Sequence, residues 1–240
     1  MSEKNLKQRI HDGELIYGVS VPVSANRDEM KAILDKDHYD FVMADSQHSA
    51  YSEPQLVEYC NIADSLDIPV HFRIKHTRNA YLIGNYLDLG PSGVEVPQVE
   101  LESTVDEAVT WFYYPQIGIR SAGGGSRKGI AERGDRLEYA NWWNEYGVLW
   151  MQVESISAVT NARKLAKPGV DCLSFGPADL TFSIESYPHH LLKTVDDCVR
   201  HVCDQLANTD VAICYRNGTP DTREKYAEMG VTVFLEGPRR

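Results

Sequence analysis

Residues 148–179 read VLWMQVESISAVTNARKLAKPGVDCLSFGPAD. An apolar run (148–154) gives way to a stretch with apolar positions three and four residues apart (156–167). A Pro-Gly break follows, then a second apolar run (171–176). Short apolar runs bounded by turn residues are what buried strands look like, and the middle stretch has the period of an amphipathic helix. Strand, helix and strand at this spacing predict a parallel βαβ unit.

The unit repeats outward in both directions. Further apolar runs lie at 15–21 (LIYGVSV), 40–45 (DFVMAD), 69–74 (PVHFRI), 93–98 (GVEVPQ), 211–216 (VAICYR) and 231–236 (VTVFLE). Helix-like segments separate them at 27–37, 53–67, 103–112, 193–207 and 220–229. Ser52 or Glu53 ahead of Pro54 reads as a helix start, and Gly230 as a helix stop. Eight strands in 240 residues fit one (β/α)8 TIM barrel domain spanning residues 1–240. An open doubly wound sheet is the alternative. A short amino-terminal helix, near 4–12, precedes the first strand and could plug the barrel bottom. The chain stops four residues after the eighth run, without an eighth outer helix. That predicts apolar wall left uncovered beside strands one and eight, and a second copy of the chain as its cover. The expected assembly is a homo-oligomer based on dimers, with a hexamer as one form such dimers could build.

Composition narrows the function classes. The chain is 42% hydrophobic and carries a net charge of −11. So acidic a surface argues against sequence-independent binding to nucleic acid or anionic membrane, but not against a small anionic substrate in a locally positive site. Five cysteines (Cys60, Cys172, Cys198, Cys203, Cys214) are scattered without a CxxC, so neither a disulfide framework nor a thiolate zinc site is expected. The charged opening MSEKNLKQRIHDGE lacks the apolar stretch of a signal peptide, and a cytoplasmic location is the expectation.

In a (β/α)8 barrel chemistry sits at the carboxyl ends of the strands. Those ends carry Asp45-Ser46-Gln47-His48, Arg73, Pro97-Gln98, Gln152-Val153-Glu154, Gly176-Pro177-Ala178-Asp179 and Arg216-Asn217. Glu154 and Asp179, on neighbouring strand ends, fit a hard-cation site that leaves positions open for water and substrate. They fit equally the caps of the helices that follow. His48 is either a general base or a hydrogen-bonded structural residue. Arg73 faces either the barrel mouth or the helix layer; inside the barrel it needs an anionic partner. The Gly123-Gly124-Gly125-Ser126 run lacks the spacing of a phosphate or dinucleotide loop and reads as a flexible or anion-contacting loop.

Taken in order, these residues resemble the HpcH/HpaI aldolases, metal-dependent class II pyruvate aldolases of the 2,4-dihydroxyhept-2-ene-1,7-dioate aldolase kind. The resemblance runs from about residue 5 to residue 236. It rests on Phe41–His48, Arg73, the stretch Leu87–Val99, Tyr114–Arg120, and Gln152-Val153-Glu154 in register with Gly176-Pro177-Ala178-Asp179-Leu180. It implies that Glu154 and Asp179 hold a divalent cation, Mg2+, Mn2+ or Co2+, which a pyruvate unit chelates. It implies Arg73 at the keto or enolate oxygen and His48 as a base oriented by Asp88. Gln152 would support the site, and Gly124, Pro177 and Ala178 would contact the substrate carboxylate. The implied reaction is cleavage of a 4-hydroxy-2-oxo acid to pyruvate and an aldehyde. The alternatives on the same enolate are decarboxylation of oxaloacetate and a citrate synthase-like condensation with a second 2-oxo acid; a non-catalytic paralogue would be a third. Departures from the family pattern are Gln47 in place of a Glu, Gln116 in place of the second Pro of Tyr-Pro-Pro, and Ser121 after Arg120.

Overall fold

The computed structural model describes residues 4–216 and 220–239. All eight apolar runs form strands: β1 (Ile16–Ser20), β2 (Phe41–Asp45), β3 (Val70–Arg73), β4 (Gly93–Val96), β5 (Val148–Val153), β6 (Cys172–Phe175), β7 (Ala212–Arg216) and β8 (Val233–Glu236). They pair in parallel in chain order, and β8 closes on β1 with Ile16 opposite Val233. The fold is therefore the closed (β/α)8 barrel, not the open sheet.

Alternation along each strand sorts the core into two parts. Inward residues such as Ile16, Phe41, Trp150, Cys172, Cys214 and Val233 fill the barrel's lower half. Outward residues such as Val42, Phe72, Leu149 and Phe234 pack under the helices. The helix Leu6–His11, capped by a reciprocal Asn5–Gln8 box, adds Leu6 and Ile10 to the interior cluster and closes the bottom as expected. Buried carboxylates pin it there. Asp171 accepts from Lys7 and His11, and Asp40 accepts from Arg9.

The outer helices follow the sequence where polar and apolar positions alternate cleanly. Helix Glu53–Ser65 starts on a Ser52–Gln55 capping box with Pro54 in its first turn, and Gly230 (φ 107°) ends the last helical stretch. The helix expected at 156–167 is broken into Ile156–Thr160 and Ala162–Leu165. Thr160 and Asn161 donate from their side chains to carbonyls one turn back, which competes with helix propagation. Only Arg223–Ala227 of 220–229 is α-helical, after a 3-10 turn at Pro220–Thr222. Helix Arg136–Tyr146 (RLEYANWWNEY) was not expected, although Tyr139, Trp142, Trp143 and Tyr146 recur at the i, i+3, i+4, i+7 spacing of one helix face. Among the described residues no helix is long and apolar enough to cross a membrane. The five cysteines are all free.

The wall beside β1 and β8 needs correcting. No helix follows β8 among the described residues, yet Val19, Phe234 and Glu236 on that face are at most 1% exposed. Arg223 covers it, with its guanidinium 4.1 Å from the Tyr17 ring centroid while donating to Glu236 (2.5 Å) and Asp37 (3.1 Å). Arg239 adds a second ion pair to Asp37. Cationic stems and ion pairs do the covering that the sequence assigned to a neighbouring subunit. Leu15, just ahead of β1, stays 48% exposed, and further large exposed apolar side chains include Ile117, Ile119, Phe182, Tyr187 and Leu191.

Candidate active site

Period-2 alternation points Asp45, Arg73, Glu95, Gln152, Ser174 and Arg216 into the barrel, above the apolar cluster. Arg73 is the centre of this layer. Its Nε and Nη2 donate to the two oxygens of Asp45 at 2.8 and 2.6 Å, and its Nη1 donates to Gln152 Oε1 at 3.2 Å. Asp45 is thereby the anion that a guanidinium inside the barrel requires. Burial alone would raise the pKa of Asp45, but the bonds from Arg73 outweigh it and hold the carboxyl below its ordinary range. Gln47 donates its backbone N–H to Asp45 (2.9 Å), while its side-chain oxygen is buried without a partner.

Glu154 stands one residue past β5, 6% exposed, and among the described residues accepts one hydrogen bond, from the Gln98 backbone N–H (3.1 Å). Gln98 makes it from a positive φ of 52°, a conformation unusual for a residue with a side chain. Asp179 lies in the first turn of helix Pro177–Ser186, whose start has no side-chain cap. A cleft of about 90 Å3 lies between Glu154, Asp179, Gln98 and Ser155. Gly176 makes this arrangement possible: a Cβ there would sit 2.1 Å from Glu154 Oε2 and 2.7 Å from Gln152 Nε2. The Glu154 pKa is raised to about 8, first by burial, then by Asp179 and Glu95.

Charge counting gives the same picture. Asp45, Glu95, Glu154 and Asp179 stand against Arg73 and Arg216, so 2 − 4 leaves −2 when all are ionised. A single divalent cation cancels that excess. Among the described residues no three or more His, Cys, Asp or Glu converge on one point.

Not every expected residue joins this cluster. His48 is exposed on the loop after β2 and makes no hydrogen bond among the described residues. Asp88 and Gly124 lie apart from the mouth. The helical stretch Thr77–Leu87 carries the chain from the end of β3 back to the start of β4, and Asp88 follows it. Asp88 accepts from Arg120 (3.0 Å), not from His48. Gly124 packs on Asp88 with a φ of 76°, and a Cβ there would come within 2.6 Å of the Asp88 Cβ. Within one chain these two form a separate pair. Pro177 and Ala178 do lie at the mouth, leading the helix that carries Asp179. Asn217 lies outside the described residues. Sequence reading placed Arg216 at a strand end without giving it a role and passed over Glu95 and Ser174, although a lone Glu in the otherwise apolar run GVEVPQ, at an inward position, was the available signal.

A model of the HpcH/HpaI aldolase/citrate lyase family matches residues 21–217. The chain belongs to that family. A hydroxypyruvate/pyruvate aldolase from Delftia acidovorans is 30% identical over 238 residues, covering 96% of this chain and 85% of the relative. A 2-keto-3-deoxy-L-rhamnonate aldolase from Klebsiella pneumoniae is 31% identical over 169 residues, 69% of this chain and 61% of that protein. The crystal structure of an HpcH/HpaI aldolase from Desulfitobacterium hafniense superposes with a TM-score of 0.84 at 23% identity, covering 98% of this chain and 91% of that one. Membership of this family makes the chain an enzyme of the aldolase and lyase kind.

Proposed function

We propose that the protein is a divalent-metal-dependent carbon–carbon lyase that cleaves a 4-hydroxy-2-oxo acid to pyruvate and an aldehyde. The observation that carries this reading is the meeting, in one barrel mouth, of the Arg73 guanidinium with the buried Glu154 and its neighbour Asp179. The donor set fits a hard cation: two carboxylates, no thiolate or imidazole, and a charge excess of the size one dication removes. Glu154 and Asp179 would hold Mg2+ or Mn2+. When bound, such an ion supplies a Lewis-acid charge at the 2-oxo acid end of the substrate.

The chain's own groups supply the rest. Cleavage removes the proton of the 4-hydroxyl, breaks the C3–C4 bond and leaves its electron pair as an enolate; a proton returned to C3 gives pyruvate. Arg73, held rigid by Asp45 and Gln152, donates to the oxygen on which that charge develops. The uncapped first turn that Pro177 opens offers the backbone N–H of Ala178 to the substrate carboxylate, Pro177 itself having none. His48, with no hydrogen bond among the described residues and on the loop after β2, takes and returns the proton. Asp88 and Gly124 reach a mouth only from a second copy of the chain, which joins the expected homo-oligomer to the site. The pyruvate donor is supported by the name of the Delftia relative.

The test is to incubate Mn2+-loaded protein with pyruvate plus glycolaldehyde, and with oxaloacetate alone, and to follow products by NMR. Reversible aldol formation that stops in excess EDTA is expected. Full activity in EDTA, or release of CO2 from oxaloacetate with no aldol product, defeats the reading. Co-expressing Asp88→Ala with Glu154→Ala chains should restore part of the activity that each lacks alone, if Asp88 serves a partner's site.

A further inference from the structure

We propose that Arg216 selects the substrate by its far end, by binding a carboxylate on the aldehyde or oxo-acid partner; this rests on the lyase reading above. Arg216 is the last residue of β7 and follows Cys214 on the inward face. Phe175 pairs with Tyr215, so the next step brings Arg216 beside Gly176, the residue that leads to Asp179. From there its side chain crosses the barrel to Glu95 on β4, whose other oxygen accepts from Ser174 (2.5 Å). Its charge acts on Asp45 and Glu154 from across the mouth.

The two guanidiniums of the mouth differ in how fully they are engaged. Arg73 has Nε, Nη1 and Nη2 all donating to Asp45 or Gln152. Arg216 makes one hydrogen bond among the described residues, from Nη2 to Glu95, and its Nε is buried with no partner. The side chain remains 18% exposed. A buried charged donor without an acceptor is unfavourable, and the deficit ends when a ligand brings one. Glu95 holds Arg216 Nη2 with one oxygen and Ser174 with the other, and makes no bond to Nε. A carboxylate suits the vacant edge, since its paired oxygens match the planar fork of a guanidinium. With Arg73 committed to the reacting end, Arg216 is the cation left for the other end. The partner class is therefore a carbonyl compound with its own carboxylate.

The test compares kcat/KM for aldol addition of pyruvate to two matched pairs: glyoxylate against glycolaldehyde, and succinic semialdehyde against pentanal. The wild type should favour the carboxylated member of at least one pair. In Arg216→Gln that preference should shrink about 10–100-fold, the loss of a charge-assisted hydrogen-bonded pair, and Arg216→Lys should keep part of it. A preference unchanged in Arg216→Gln overturns the inference. So does a wild type that favours the uncharged member of both pairs, which settles the matter even if the variants do not fold. Exchange of the pyruvate methyl protons with D2O by the wild type reports separately on the enolate site. Its absence means that the lyase reading has failed, whereas its presence without carboxylate preference means that only the role of Arg216 has.

Discussion

The barrel buries carboxylates at both ends, and the two ends treat them differently. At the bottom, Asp171 is 1% exposed and accepts from Lys7, His11 and the Leu149 backbone N–H. Asp40 accepts from Arg9, His38 and the Tyr17 N–H. At the mouth, Glu154 has one donor among the described residues and a carboxylate neighbour, and its pKa is pushed up to about 8, by burial before all else. Clefts of about 430 and 620 Å3 flank the bottom, far larger than the one beside Glu154, but the second is lined by charged groups already paired with one another. For these carboxylates, hydrogen-bond satisfaction and not cavity size separates the bottom of the barrel from the mouth.

That contrast is most exposed to failure at its strongest point. Glu154→Gln and Asp179→Asn should each lower kcat by roughly 10³-fold or more, as for loss of a cation worth several kcal/mol to the transition state. Their circular dichroism should stay native. A metal-stimulated rate that survives either change would erase the distinction between the two ends. Arg73→Ala should cost about 10²–10³-fold in kcat, the price of one oxyanion donor, with Lys restoring only part because it lacks the planar fork. An effect on KM alone would make Arg73 a binding group.

The bottom should respond in stability instead. Asp171→Asn leaves Lys7 and His11 facing a neutral amide and should destabilise the fold by about 3–5 kcal/mol. Thermal melts should register it, with kcat within about twofold of wild type where the variant is folded. A variant that melts normally but loses turnover would reverse the assignment of the two ends.

The smallest effect is one of pH. With no cation bound, Glu154 keeps its proton at neutral pH, so a cation must displace it. Mn2+ affinity should climb about tenfold per pH unit below 8 and level off above. The sign for folding follows from the same shift. The unfolded chain releases this proton near 4.5 and the folded one near 8, so the folded state is the more protonated between them. Stability contributed by the neutral form is fully present below pH 4.5 and is lost as pH rises to 8. Melts in EDTA at pH 5 and pH 8, repeated with Mn2+, would show this, and a pH-independent Mn2+ affinity would place Glu154 among the satisfied carboxylates.

The sequence by itself determined the eight strands and the helix ahead of them, because strand-forming runs and capping signals are local; it favoured the barrel, but the pairing of β8 with β1 decided against the open sheet. Asn5, Ser52 and Gly230 carry their instructions within a few residues. It also marked Glu154, Asp179 and Arg73, since strand-end positions follow from strand order. Helix Arg136–Tyr146 was missed although Tyr139, Trp142, Trp143 and Tyr146 carry the helical period, because its face is built of large polar-edged aromatics and not of aliphatic residues. Three further matters were decided only by tertiary structure. Arg223 and Arg239 cover the wall beside β1 and β8, which depends on where two arginines fold back and not on the apolar pattern. Asp88 and Gly124 share a motif order with the mouth residues yet lie with Arg120, because Thr77–Leu87 returns the chain to the start of β4. The pairing of Arg216 with Glu95 joins residues 121 positions apart in sequence. Local sequence sets which way a side chain faces, but whether it finds a partner depends on residues brought from across the barrel.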